Sequence, residues 1–329
     1  MAPTATSETA SLHVTEHSIT VAAAPAAVYA LVADVAAWPQ VFGPTVHVEV
    51  LQEAPAEGGE QLLRIWAVAK DRIRTWTSRR VLDPAARTIG FRQVVTAAPV
   101  ASMGGEWQVQ ELEDGTTRVT LLHDYRATDD DPAAEALIAS AVDTNSRAEL
   151  LALKNTAEQG EDRAELHFTF SDSETVFGAA GDVYAFLDRA DLWPERLPHV
   201  ARLGLTEDEP GIQHMDMDTR SPDGSTHNTV SVRVCFEETG LIVYKQLKVP
   251  VAMAGHTGRW VIEPLGDGSV RVTSWHTVTL DPAGVRTALG PQATLAEARA
   301  LVRKALGTNS ATTLRHAKEF AEGTRAGSA

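Results

Sequence analysis

Only one of the 329 residues is a cysteine, Cys235, which excludes an internal disulfide framework and any cysteine-rich zinc site. No apolar run approaches the roughly 18 residues that a membrane helix needs. Positive charge is scarce: 29 Lys and Arg stand against 44 Asp and Glu, a net charge of −15. That balance opposes nucleic acid and anionic membrane surfaces, whose phosphates it repels. Residues 1–11 contain no Lys or Arg and no apolar block, unlike a secretory leader. The expectation is an acidic cytoplasmic protein. Phosphate-binding loops, Gly-x-Gly-x-x-Gly turns and Gly-x-Ser-x-Gly elbows are all missing, and the histidines are not expected to bind zinc. No metal, nucleotide, other cofactor or covalent nucleophile is called for.

What the chain does contain is itself, twice. Val28-Tyr29-Ala30 and Trp38-Pro39 return 155 residues later as Val183-Tyr184-Ala185 and Trp193-Pro194. Trp107, Asp114-Gly115, Arg118-Val119-Thr120 and His123 return 153 residues later as Trp260, Asp267-Gly268, Arg271-Val272-Thr273 and His276. Thr144-Asn145-Ser146 returns 164 residues later as Thr308-Asn309-Ser310. So many landmarks in one order indicate duplication. The expected domains are 1–160 and 161–329, with the extra residues of the second copy between His276 and Thr308.

Each copy reads as a short strand, a helical turn opened by proline, a run of alternating strands and a long closing helix. In the first copy the strands fall near 46–51, 61–68, 72–82, 88–94, 105–112 and 116–125. The helix runs from Pro132 to about Gln159, with Asp131 as its N-cap. Asp-Gly pairs between strand-like runs mark hairpins. The acidic runs 129–131 and 207–209 read as solvated turns. An antiparallel sheet with one long helix across it is an α+β arrangement, and a cavity remains between them unless large side chains fill it.

Alternation on the fourth strand projects Trp76, Ser78 and Arg80 together. The equivalent strand projects His227, Thr229, Ser231 and Arg233 together, so both copies keep Ser-x-Arg on one face. An inward guanidinium is costly unless it meets a partner, water or a ligand. Helical spacing aligns Ile138, Ala141, Val142, Asn145, Ala148 and Ala152 in one closing helix. In the other it aligns Ala298, Val302, Ala305, Asn309, Thr312 and His316. A buried asparagine in each stripe requires hydrogen-bond partners. Trp107 and Trp260 are either core aromatics or cavity walls, and Cys235 is expected to be buried and inert.

Trp-Pro after the first helix, Trp-Thr-Ser-Arg-Arg-Val-Leu-Asp-Pro (76–84), Trp107 and Thr-Asn-Ser-Arg (144–147) together resemble the aromatase/cyclases of bacterial type II polyketide synthases, and the duplication resembles their di-domain subclass. The resemblance spans essentially the whole chain. It implies two tandem helix-grip, START-like domains, each a curved antiparallel sheet wrapped around a long C-terminal helix with an internal cavity. It also implies a poly-β-ketone substrate tethered to an acyl carrier protein, other synthase components as partners, and first-ring cyclisation or dehydrative aromatisation in antibiotic biosynthesis.

By position, the resemblance implies Arg80, Ser78, Arg233, Ser231 and His227 as catalytic candidates. Trp76, Trp107, Asn145, Trp260 and Asn309 would touch substrate. A pocket tyrosine found in some single-domain relatives is replaced by Thr45. Lys70, Arg72, Arg74 and Arg79 would form a basic rim for the acidic carrier protein. The alternative is a non-catalytic START-like carrier of a hydrophobic small molecule.

Overall fold

A computed structural model describes residues 12–69, 72–160, 162–220 and 224–327. The chain divides into two units on either side of Gly160. In the first unit, strand β1 (His13–Val21) leads into helices α1 (Pro25–Ala33) and α2 (Trp38–Val41). Six strands follow: β2 (Thr45–Gln52), β3 (Gly59–Ala69), β4 (Arg72–Asp83), β5 (Thr88–Val95), β6 (Val100–Glu111) and β7 (Thr117–Ala127). Helix α3 (Pro132–Ala157) closes the unit. The sheet order is β1-β7-β6-β5-β4-β3-β2, antiparallel throughout. Consecutive strands from β2 to β7 are therefore neighbours, and β1 adds at the far edge.

The second unit repeats this plan. After α4 (Asp162–Leu166) come β8 (His167–Val176), α5 (Ala180–Asp188) and α6 (Trp193–Arg196). The remaining strands are β9 (Val200–Glu209), β10 (Ile212–Arg220), β11 (Thr226–Phe236), β12 (Leu241–Lys248), β13 (Met253–Pro264) and β14 (Val270–Leu280). Their order is β8-β14-β13-β12-β11-β10-β9. The extra residues of this copy fold as a separate helix, α7 (Pro282–Leu289), ahead of α8 (Leu295–Gly327). The acidic run 207–209 is the exposed end of strand β9 rather than a turn. Acidic side chains on an exposed strand end keep their water, so burial does not oppose the strand there.

Local chemistry explains the shared frame. Asp131 caps α3 by accepting from Ala133 N at 3.1 Å, and Pro132 opens the helix without leaving an N–H unused. Both Asp-Gly hairpins use one device. Asp114 accepts from Thr116 N at 3.0 Å and Thr116 Oγ1 at 2.6 Å, while Gly115 takes φ +80°. Asp267 does the same for Ser269, at 3.0 and 2.6 Å, with Gly268 at φ +80°. A β-carbon would strain either glycine position.

The cores lie between sheet and helices. Val28, Val32, Val119, Leu121, Leu150 and Leu153 interlock in the first unit; Val183, Leu187, Val272, Leu314 and Ala317 do so in the second. The helix stripes start on the expected line, with Ile138, Val142, Ala298 and Val302 buried, and depart from it further along. In α3 the buried residues are Ile138, Val142, Ser146, Leu150, Leu153 and Ala157, while Ala141, Asn145 and Ala148 are exposed. The larger leucines draw the helix round, because burying Leu150 and Leu153 removes more apolar surface than burying alanines.

Candidate active site

The second unit encloses a cavity of about 130 Å³ between sheet and helix. A single water centre needs roughly 10–15 Å³, so the space suits a ring-sized ligand. Its walls include Thr229, Ser231 and Arg233 from β11, Trp260 from β13 and Asn309 from α8. His227, at the outer end of β11, is exposed yet lines the same cavity, and the surrounding protein lowers its pKa. Thr229 occupies the position that Trp76 holds in the first unit. All the sequence-nominated residues of this half therefore meet in one place.

The two arginines are held alike. Arg80 is 2 % exposed and Arg233 3 %. Arg80 Nη2 donates to the Val32 carbonyl at 2.9 Å, and its guanidinium lies 5.0 Å from the Trp38 ring. Arg233 Nη2 donates to the Leu187 carbonyl at 2.8 Å, with Trp193 at 5.2 Å. Val32 and Leu187 lie in the last turns of α1 and of its counterpart α5, where helix carbonyls lack intrahelical donors and favour a cation. The Trp-Pro motif supplies the stacking ring. Burial lowers the Arg80 pKa to about 10, which leaves it charged at neutral pH. Each guanidinium keeps one buried nitrogen without a partner among the described residues, Nη1 in Arg80 and Nε in Arg233. A buried charged donor left open is costly unless a ligand completes it.

Comparison with known proteins gives the family. The granaticin polyketide synthase bifunctional cyclase/dehydratase of Streptomyces violaceoruber is 48 % identical over 94 % of this chain and 95 % of its own. The actinorhodin polyketide synthase bifunctional cyclase/dehydratase of Streptomyces coelicolor is 45 % identical over 93 % and 96 %. The crystal structure of BexL, a di-domain ARO/CYC from the BE-7585A biosynthetic pathway, superposes with a TM-score of 0.85 at 48 % identity, covering 94 % of this chain and 99 % of that one. Residues 13–158 match the family described as polyketide cyclase / dehydrase and lipid transport. The chain belongs to the di-domain polyketide aromatase/cyclase family.

In the first unit of this aromatase/cyclase, Ser78 is buried with Arg80, and its Oγ stands 3.4 Å from the Arg92 carbonyl, a long contact that leaves the hydroxyl available. Trp76 is half-buried beside Trp38, Leu63 and Ile65. Trp107 is 6 % exposed and packs in the main core, its ring 6.2 Å from Phe42, whereas Trp260 serves both core and cavity. Asn145 is exposed, so the requirement for buried partners does not apply to it; Asn309, its counterpart, is half-buried at the cavity wall. Thr45 is buried at the start of β2. Cys235 is half-buried, and burial raises its thiol pKa to about 12. Arg72, Arg74 and Arg79 are exposed; Lys70 lies outside the described residues.

Sequence reasoning missed three groups in this aromatase/cyclase. Tyr29 lies close enough to Arg80 to feel its charge, and its hydroxyl is buried without a partner among the described residues. The repeated Val-Tyr-Ala landmark carried that signal. Glu149 sits on the buried arc of α3, one turn beyond Asn145, where burial raises its pKa to about 7 although the side chain keeps part of its surface accessible. Tyr244, His256, Ser274, His276 and Ser310 form a hydrogen-bonded cluster at the cavity of the second unit. The returns of His123 as His276 and of Ser146 as Ser310 hinted at it.

The pair His13 and His17, four apart, lies on a strand, where such spacing separates side chains by roughly 13 Å. His13 reaches Glu135 at 3.2 Å, and His17 reaches Asp143 at 2.9 Å. Among the described residues no group of three or more His, Cys, Asp or Glu is arranged to hold a metal ion, and no helix is long and apolar enough to cross a membrane.

Proposed function

We propose that this protein closes the first ring of an acyl-carrier-protein-bound poly-β-ketone at one defined carbon pair and dehydrates it to the aromatic ring. The observation that carries this reading is the open N–H on each buried, ring-stacked guanidinium beside a serine hydroxyl. A hydrocarbon chain has nothing to offer such donors, whereas the repeated ketone oxygens of a polyketide can complete them. Protons between two ketones are already acidic, so ring closure needs enolate stabilisation more than a strong base. Arg80 and Arg233 supply it in a dry site, where a fixed donor acts at far greater strength than in water.

Ser78 and Ser231 add a hydrogen bond or hold the water that relays a proton. Trp76, Trp260 and Asn309 restrict how the chain folds, so that one carbon pair meets. Loss of water then completes aromaticity. The enzyme reading is favoured over the carrier because the cavity wall combines apolar rings with polar groups that a shielded hydrocarbon does not use. The carrier protein would dock at the exposed arginines Arg72, Arg74 and Arg79, and the reaction would run in the cytoplasm beside the other synthase components.

The test is product analysis from a reconstituted minimal polyketide synthase with and without this protein, and with a ketoreductase present or absent. One defined aromatic first ring is the expected result, and dependence on the ketoreductase would fix whether the substrate arrives reduced. Identical products in every arm, with hydrophobic ligand bound, would establish the carrier instead.

A further inference from the structure

Five polar side chains converge where β12, β13, β14 and α8 meet the cavity of the second unit. His276 Nδ1 is 2.9 Å from Tyr244 Oη and 3.0 Å from His256 Nε2. On the far side of the same ring, Nε2 is 2.6 Å from Ser310 Oγ and 3.2 Å from Ser274 Oγ. The two imidazoles stack at 5.3 Å, and both are nearly inaccessible. Room for the Tyr244 ring comes from Gly258, where a β-carbon would overlap the phenol and the Trp275 carbonyl. Burial lowers the pKa of His276 to about 4 and holds that of His256 well below its ordinary value, so both rings are neutral at pH 7.

A neutral imidazole has one donor and one acceptor nitrogen. Two in series, ending on a hydroxyl, form a continuous line from His256 Nδ1 through His276 to Ser310 Oγ. His256 and Ser310 both line the cavity, and His256 Nδ1 is buried with no partner among the described residues. Such a line can take up a proton at one end and release one at the other without building net charge, which suits a low-dielectric site.

The first unit lacks this line. Strand register places Phe91 across from Gly105 as Tyr244 would stand across from Gly258, and Gly105 across from His123 as Gly258 from His276. By the same spacing Met103 stands for His256 and Leu121 for Ser274. Only the His123 to Ser146 contact remains, at 3.3 Å, with Phe91 edge-on to the imidazole at 5.4 Å. The two units thus share a binding frame and differ in the proton-carrying groups around one histidine.

We propose that His256, His276 and Ser310 are the proton relay by which the second unit dehydrates the cyclised polyketide, with Tyr244 positioning the central ring. This rests on the function proposed above. A carbon-bound proton beside the ketone passes to His256 Nδ1, and its C–H electrons form the new double bond. His256 Nε2 passes its proton to His276 Nδ1, His276 Nε2 to Ser310, and Ser310 to the departing hydroxyl. The C–O bond breaks, one water leaves, and exchange with that water resets the tautomers. No oxidant, reductant or added group is consumed.

The test uses the full chain with the reconstituted synthase and compares His256→Met, the residue of the first unit, with His256→Gln, which preserves a hydrogen bond to His276 but cannot relay. Thermal melting and circular dichroism establish that each variant folds. Both variants should lose dehydration by about 100-fold or more and accumulate the cyclised, hydroxyl-bearing product, while ring closure continues. Wild-type dehydration by either variant would overturn the relay, since a merely structural histidine is rescued by glutamine. Nitrogen-15 chemical shifts of the wild-type protein provide a reading that requires no variant. Two neutral imidazoles at pH 7 are expected, and an imidazolium at His256 or His276 would overturn the proposal. If the wild-type protein leaves the synthase products unchanged, the functional reading itself fails, which is distinct from a wild type that dehydrates through another group.

Discussion

The Arg80 guanidinium lies face-on to Trp38 at 5.0 Å while one of its nitrogens donates to the Val32 carbonyl in the last turn of the first helix. The same three-part arrangement recurs with Arg233, Trp193 and Leu187. The motifs that resembled a family are therefore parts of one contact. Ser-x-Arg supplies the cation, Trp-Pro the ring, and the Val-Tyr-Ala helix the acceptor.

Replacing Arg80 or Arg233 with methionine keeps the length and apolar stem of the side chain and removes the charge. Methionine leaves the helix carbonyl without the guanidinium's hydrogen bond and removes the ring contact, so each variant should lose about 1–2 kcal/mol of stability yet still fold. Product formation should fall by about 100- to 1,000-fold for the unit whose guanidinium holds the reacting ketone. The check is thermal melting beside product analysis for each variant.

Glu149 should make stability fall as pH rises. Its folded pKa of about 7 lies above the ordinary value of 4.5. Below about 4.5 both folded and unfolded states hold the proton, and there is no penalty. Between 4.5 and 7 the unfolded chain releases the proton while the folded one keeps it, so folding loses ground; above 7 the loss is complete. Glu149→Gln should therefore stabilise the protein by roughly 2–3 kcal/mol above pH 7 and by nothing near pH 4. Urea melts at the two pH values give the difference.

Gly105 and Gly258 should not accept alanine. A β-carbon at Gly105 would overlap the Leu122 carbonyl and the Phe91 ring; at Gly258 it would overlap the Trp275 carbonyl and the Tyr244 phenol. A neighbouring strand's backbone cannot move away cheaply, so each substitution should cost about 1–3 kcal/mol or more. Gly115→Ala, where only φ is at issue, is the comparison to run alongside in denaturant melts.

Asn145→Ala should leave stability within about 0.5 kcal/mol, because the side chain is exposed. Thr313→Val, at a 3 % exposed cavity-wall residue, should by contrast destabilise the second unit by about 1 kcal/mol, since its hydroxyl donates to the Asn309 carbonyl at 3.0 Å. Parallel melts decide it.

Strand alternation made the shared face of Trp76, Ser78 and Arg80 legible, because the period of two allows only two faces and one carried the aromatic. Duplication was legible from ordered landmarks. The helix faces were less so: alanines and leucines both count as apolar in a periodic reading, and only packing decides which of two adjacent stripes turns inward. That is why Asn145 reads as buried in sequence and is exposed in the structure. The cluster at His276 was nearly invisible, since its members come from three strands and a helix up to 66 residues apart in the chain (Tyr244 and Ser310).

By itself the sequence determined the repeated α+β plan, its turns and its caps, because these depend on neighbours within a few residues and on the periodicity of side chains. It also determined the family resemblance, which is a property of residue order. Tertiary structure alone decided which polar groups share a cavity, which guanidinium nitrogen stays open, and which histidine gains a second histidine and a phenol. Those outcomes depend on distances between strands that sequence separation does not encode, and on burial, which moves the pKa of Glu149 up and that of His276 down only once the surrounding chain has excluded water.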